Sequence, residues 1–281
     1  MEKLDWEFLE DIILKLGAVD RRIIFVLIGL AVLIPLLTPI SLPVRETPTT
    51  VKFYDGIEDI PKNSKVLVSF DYGPSTVPEV GPMSYAIMRQ VLESGNEVHT
   101  MALWDTGLPM IVETKKNVLR DMGVDEKDVK IYDFGFKSGG ESVIKGMLSD
   151  IPETFPKAEG IVEDLCEYDF IISFSAGSPG SKEWVQFAGD QSQTECDGKT
   201  IDVTTGVTAV QVTELLPYVN TGQLKGILAG LAGAASYENL TGEYGPASKK
   251  MAPQSFAHLL IVILIIIGNV TYFIIDRRGN E

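Results

Sequence analysis

Two charge-free apolar runs set the limits on what this chain can become: Ile23–Val44, of 22 residues, and Phe256–Ile275, of 20 residues. At 1.5 Å per helical residue each is long enough to cross a hydrocarbon layer about 30 Å thick. No other stretch of the 281 residues could do so, which argues against a polytopic channel or transporter. The expected organisation is a cytoplasmic amphipathic segment (1–20), a first span (21–44), an α/β domain (45–250), a second span (251–275) and a short tail (276–281). Three prolines, Pro35, Pro39 and Pro43, crowd the end of the first run and predict an early helix stop followed by an extended neck. A cleaved signal peptide fits poorly, because about twenty mostly acidic residues come first. An uncleaved anchor fits better.

Charge orients the chain and excludes a partner class. Lys15, Arg21 and Arg22 precede the first run, against Arg45 and Lys52 after it; Lys249 and Lys250 balance Arg277 and Arg278 around the second. The positive-inside rule then puts both termini in the cytoplasm and the main domain outside the cell membrane. Residues 45–255 carry 18 Lys+Arg and 31 Asp+Glu, a net −13. So acidic a domain repels polyanions, so no nucleic-acid partner is expected. The expected partners are the lipid bilayer, further copies of the chain, and other membrane proteins.

Residues 4–16 form an amphipathic helix, with Leu4, Phe8, Leu9, Ile12, Ile13 and Leu16 on one face. Its polar face carries Glu7, Glu10 and Asp11, the wrong sign for an anionic membrane surface, which favours a protein partner.

Between the spans, apolar runs alternate with helical patterns. Val66–Phe70, Val98–Leu103, Val129–Tyr132, Phe170–Phe174 and Thr200–Thr204 read as strands buried on both faces. Helices are expected from Pro82 to Glu93, from Pro109 to Gly123, from Glu141 to Leu148, at Ser181–Gly189 and from Val210 onward. Residues 150–160 and 189–199 read as loop insertions. The alternation predicts a doubly wound, mostly parallel, Rossmann-like sheet with helices on both faces.

Ligands of such sheets bind outside the carboxyl ends of the strands. Three strands close on an Asp-x-Gly triplet, at Asp71, Asp105 and Asp133. Gathered together, these carboxylates would hold Mg or Ca through oxygen; taken singly, they are turn chemistry, Asp bonding its own backbone and Gly taking φ > 0. The resemblance of two triplets to aspartic-protease and protein-kinase signatures is coincidental, since the all-β scaffold of the first and the catalytic loop of the second are missing. Strand four runs into Ser175, Gly177, Ser178, Gly180, Ser181 and Lys182, hydroxyls and free backbone at a helix start that suit an anion, and Gly139-Gly140 repeats the device. Ordinary N-capping explains each equally well. Of two histidines, His258 lies in the second span and His99 inside strand two, which leaves no histidine-based catalysis and no zinc site. Cys166 and Cys196 precede strands four and five and would meet at one sheet edge, as a disulfide in an oxidising compartment or as two unrelated small residues.

Gly222, Gly226, Gly230 and Ala234 recur every four residues and predict a helix with one small-residue face, packing on the sheet or on another subunit. Asn269 in the second span would add an amide contact between copies. The segment Gly222-Gln-Leu-Lys-Gly226-Ile-Leu-Ala-Gly230-Leu-Ala-Gly233-Ala234-Ala235-Ser236-Tyr237-Glu238, with Glu183-Trp184-Val185-Gln186 and the apolar run after it, resembles a group of uncharacterised membrane-anchored proteins. They share a Gly-Gln-Leu-x-Gly-x-Leu-x-Gly-Leu-x-Gly-Ala-Ala-x-Tyr-Glu segment. The resemblance extends over most of residues 65–270, implies the same architecture and transfers no catalytic residue. Two functional expectations follow: a binding or assembly component of an oligomeric membrane complex, or a divalent-metal enzyme acting on a phosphorylated substrate at the Asp71/Asp105/Asp133 edge. Whether the chain is an enzyme is left open by its sequence.

Overall fold

The computed structural model describes residues 12–15, 17, 19–38, 44–242 and 245–279. These fall into two compact units, one of residues 43–248 and one combining the N-terminal 42 residues with Lys249–Glu281.

The larger unit is built on six strands: β1 (Lys65–Asp71), β2 (Glu97–Ala102), β3 (Ile131–Phe136), β4 (Phe170–Ser175), β5 (Asp202–Val207) and β6 (Ile227–Ala229). Their order is β3-β2-β1-β4-β5-β6 and every neighbouring pair is parallel. Parallel strands cannot be joined by hairpins, so helices cross over both faces and bury them. The continuous apolar runs follow from that: Val66, Leu67 and Phe70 are all fully buried. One face is covered by α3 (Val77–Glu93) and α4 (Gly107–Met122), with Met83, Ile87, Ile111 and Val118 in its core. The other is covered by α5 (Glu141–Ser149), α6 (Ser181–Trp184), α7 (Asp190–Glu195) and α8 (Val212–Asn220), through Ile144, Met147, Trp184, Val185 and Leu215. An N-terminal α2 (Pro48–Glu58) and a late α9 (Gly230–Leu240) pack beside β6.

Several sequence expectations need correction. The helix expected from Pro82 starts earlier, at Val77, and keeps Pro82 inside it. The expected loop at 189–199 is mostly helical, with a π-helical turn (Val185–Gly189) running into α7. Strand three continues past Asp133, because a register shift opposite Thr100/Met101 and a positive φ of 96° at Gly135 let the chain extend through Phe136. The four-residue repeat is not one helix. Gly222 sits in a turn at φ 82°, Gly226 leads into β6, Gly230 begins α9 at φ 55°, and only Ala234 lies within that helix, fully packed.

Cys166 and Cys196 are disulfide-bonded, with Cα atoms 5.3 Å apart. Closing a loop of this size, with 30 residues of sequence separation, contributes about 3–4 kcal/mol in the chain-entropy account. Reduction with dithiothreitol is expected to lower the thermal midpoint of the full-length protein, and the drop should vanish in Cys166→Ser. An unchanged midpoint on reduction would contradict this.

In the smaller unit, α1 (Arg21–Leu37) starts at Asp20, whose side chain accepts from Arg22 N at 2.8 Å, and stops at Thr38. It has 17 residues. The second apolar run lies within α10 (Pro246–Gly279), of 34 residues. Among the described residues, α10 alone is long and apolar enough to cross a membrane by length and composition, which revises the expectation of two spans. Of the amphipathic N-terminal segment, residues 12–15 are helical and residues 4–11 and 16 lie outside the described ones.

Candidate functional site

In the order β3-β2-β1-β4-β5-β6 the chain direction across the sheet reverses between β1 and β4, so the loops leaving their carboxyl ends diverge and leave a crevice. A cleft of about 660 Å³ lies on the same carboxyl edge, over β1 and β2, lined by residues 73–76 after β1 and 103–106 after β2, by Phe136 and Ser138 at the end of β3, and by Ala176 after β4. The two walls touch: a Cβ on Gly73 would lie 2.9 Å from Thr106 Oγ1. Trp104 forms one side. Its Nε1 donates to the Pro179 carbonyl at 2.6 Å, and its ring lies 3.2 Å from where a Gly177 Cβ would sit, so the indole is fixed against the β4–α6 loop.

Beneath the cleft, Asp71 is completely buried. Its Oδ1 accepts from Leu103 N at 2.8 Å; its Oδ2 accepts from Ser69 Oγ at 2.8 Å and Trp184 Nε1 at 3.1 Å. One carboxyl thus joins β1, the loop after β2 and α6. Burial pushes its pKa up to about 7 despite those three donors, and the nearby Glu183 charge adds to the rise.

The three sequence aspartates do not converge. Asp71 is sealed inside, and Asp105 is exposed with Oδ1 accepting from Thr106 N at 2.8 Å. Asp133 lies mid-strand with Oδ1 accepting from Gly135 N at 3.0 Å. Among the described residues no three His, Cys, Asp or Glu side chains are grouped to hold a metal ion. The turn-chemistry reading accounts for Asp105 and Asp133, and the Mg or Ca ligand set loses its geometry.

The expected anion loop is occupied by the chain's own carboxylate. Glu183 accepts from Ser178 Oγ at 2.5 Å and from Gly180 N at 2.7 Å. Lys182 donates to Glu214 at 3.0 Å. Ser175 Oγ donates to the Gly177 carbonyl at 2.8 Å, and Ser181 Oγ is buried against Ser173 and Thr205. Gly139 and Gly140 both have positive φ, and a Cβ on Gly140 would lie 2.8 Å from Pro179 Cβ, so the two expected anion loops brace each other. His99 is a core residue: Nδ1 pairs with Tyr168 Oη at 2.6 Å and Nε2 with Glu97 at 2.9 Å, and burial lowers its pKa.

A second cavity of about 210 Å³ lies among Tyr54, Tyr85, Arg89, Gln90 and Glu238. Several of its polar groups are used internally: Arg89 pairs with Glu93, Gln90 with Glu58, and Tyr85 Oη donates to Asp121 at 2.8 Å. Glu238 is spent on α10, accepting from Ala247 N and Ser248 N at 2.8 Å each.

The sequence reading missed Trp104 and Trp184. A tryptophan placed two residues beyond a parallel strand, at the ligand edge, was the available signal for the first.

By strand order and switch point this is a Rossmann-like α/β domain. No protein-family model matches the chain. No curated protein matches it either. Among solved structures it is similar to a short chain dehydrogenase from Mycobacterium smegmatis, with 11% identity over 79% of this chain and 91% of that one and a TM-score of 0.30. A likeness that distant carries no functional argument.

Proposed function

We propose that the protein is a membrane-anchored binding and assembly component whose α/β domain, outside the cytoplasm, receives a small ligand in the cleft at the carboxyl edge of its sheet. The cleft itself carries this reading. It sits where sheets of this order bind ligands, and no histidine, lysine, arginine or cysteine is among the residues that line it. Such a lining offers contact area and hydroxyls for binding, and no acid–base pair for catalysis. The disulfide supports an oxidising compartment. The apolar α10 supports anchoring. Asn269, exposed on α10, is the remaining group for association between copies.

The test is a thermal-shift screen of the full-length protein in detergent against uncharged, anionic and cationic metabolites. A ligand that raises the midpoint of the wild type should fail to do so with Trp104→Ala and should still do so with Tyr85→Phe, which alters the second cavity. A shift that survives Trp104→Ala would place the ligand elsewhere.

A further inference from the structure

We propose that the cleft takes an uncharged ring bearing a vicinal diol, a glycoside or the ribose of a nucleoside, and discriminates against its phosphorylated forms. This rests on the reading of the cleft as the ligand site.

The lining is an unusual mixture. Trp104 and Phe136 give two aromatic surfaces, the second 36% exposed. Ser75, Thr76, Thr106 and Ser138 supply hydroxyls, and Asp105 is the one charged residue of the lining. A sugar ring has an apolar C–H face and an edge of hydroxyl groups. The face packs on an aromatic ring with little desolvation cost, and adjacent hydroxyls both donate to one carboxylate. Asp105 suits that role: it is exposed, and Thr106 N uses only one of about four lone-pair sites on its carboxylate. Thr76 Oγ1 donates to the Gly73 carbonyl at 3.0 Å, so toward a ligand it acts as an acceptor. Hydroxyl-rich walls with both donors and acceptors match a polyol, and the Asp105 carboxylate repels a carboxylate ligand.

Phosphate is disfavoured by the same residues. Sheets of this order bind phosphate where the first turn is glycine-rich and opens directly onto a helix start. Here that turn reads Gly73-Pro74-Ser75-Thr76, with a single glycine. The Thr76 amide donates to the Gly73 carbonyl at 3.0 Å. The helix that follows has a proline in its first two positions and Glu79 in its first turn. No cation lines the cleft to offset Asp105. A phosphoryl group would meet the Asp105 carboxylate and too few free amides.

The experiment is calorimetric titration of the full-length protein, in a detergent without a sugar headgroup, with methyl β-glucoside, adenosine and AMP. At least one uncharged probe is expected to bind with a dissociation constant below about 10 mM. Asp105→Asn is expected to weaken that probe by about tenfold or more, the worth of a charged hydrogen-bond acceptor. Glucoside binding alone identifies a glycoside site, and adenosine binding alone a nucleoside site. In the latter case AMP should bind at least about tenfold more weakly than adenosine. AMP binding as tightly as adenosine, indifference to Asp105→Asn, or no binding of any probe overturns the proposal. If the probes fail while another metabolite gives a shift that depends on Trp104, the ligand class falls and the cleft reading stands. If no metabolite shift depends on Trp104, both fall.

Discussion

Gly226→Ala is expected to cost the protein 3 kcal/mol or more and to leave little folded material. Gly226 enters β6 against α2, where an added Cβ would lie 2.5 Å from Phe53 Cα and 2.7 Å from its Cβ, and closer still to its amide nitrogen. Phe53 is fully buried, and Gly226 itself is held by Thr205 N and Thr204 Oγ1 on its carbonyl, at 3.3 and 3.0 Å. Backbone pressed against backbone cannot relax as a side chain would, which puts the cost at or above the upper end of the usual 1–3 kcal/mol for overpacking. Against a total stability of about 5–15 kcal/mol that is a large share. Gly222→Ala is the control: nothing lies within 4 Å of its Cβ, so only the φ of 82° is penalised, by about 1 kcal/mol. Urea unfolding of both variants in detergent decides the matter. A folded, monomeric Gly226→Leu would mean that this glycine packs between subunits, contrary to its place against Phe53.

The second large effect is on pH dependence, through Asp71. Its folded pKa is raised to about 7, against 3.8 for the ordinary group. The contribution of a group raised in this way is fully present below the unfolded pKa and is lost as pH rises through the folded one. Between about pH 4 and 7 the unfolded chain ionises Asp71 while the folded chain keeps its proton, so this group alone takes away roughly 3–4 kcal/mol across that window. Asp71→Asn removes the slope. It also leaves one carbonyl oxygen for two donors on opposite sides, Leu103 N and Trp184 Nε1, and a buried donor left unpaired costs about 1–3 kcal/mol. The variant should therefore be clearly less stable than wild type at pH 5 and close to it at pH 8. A destabilisation equal at both pH values would show that Asp71 does not titrate in this range.

The strands were legible because a parallel sheet with both faces covered writes itself as short, mostly apolar runs without polar alternation, and Val66–Phe70 and Phe170–Phe174 do so, each with a single serine. The carboxyl edge was also legible as the place to look, and Asp105 and Ala176 border the cleft found there. The partners within that edge were not. Asp71 and Asp105 share the same motif, but Asp71 ends β1 and points into the layer beneath α6, whereas Asp105 lies three residues past β2 and faces solvent. That difference depends on pleat and strand-end position, which a triplet does not encode. Likewise Glu183 is three residues from Gly180, a spacing that any helix start offers, and only the folded loop shows it spending its charge there. The Gly222–Ala234 repeat misled because turn, three-residue strand and helix succeeded one another at four-residue intervals. Period four is shared by helices and by this accident.

The sheet interior poses an alignment problem that its own side chains solve. A strand apolar on both faces has no inside-outside alternation to tell one pairing from another shifted along it. Across the middle of this sheet Met101, Ser69, Ser173 and Thr205 stand in one row. Thr205 Oγ1 reaches the Ser173 carbonyl at 2.8 Å, and Ser181 closes over both hydroxyls. Any slipped pairing would strand several of these hydroxyls in hydrocarbon, at about 1–3 kcal/mol apiece. The row therefore acts as a proofreading key for assembly of the sheet: it rejects misaligned chains more strongly than it strengthens the aligned one.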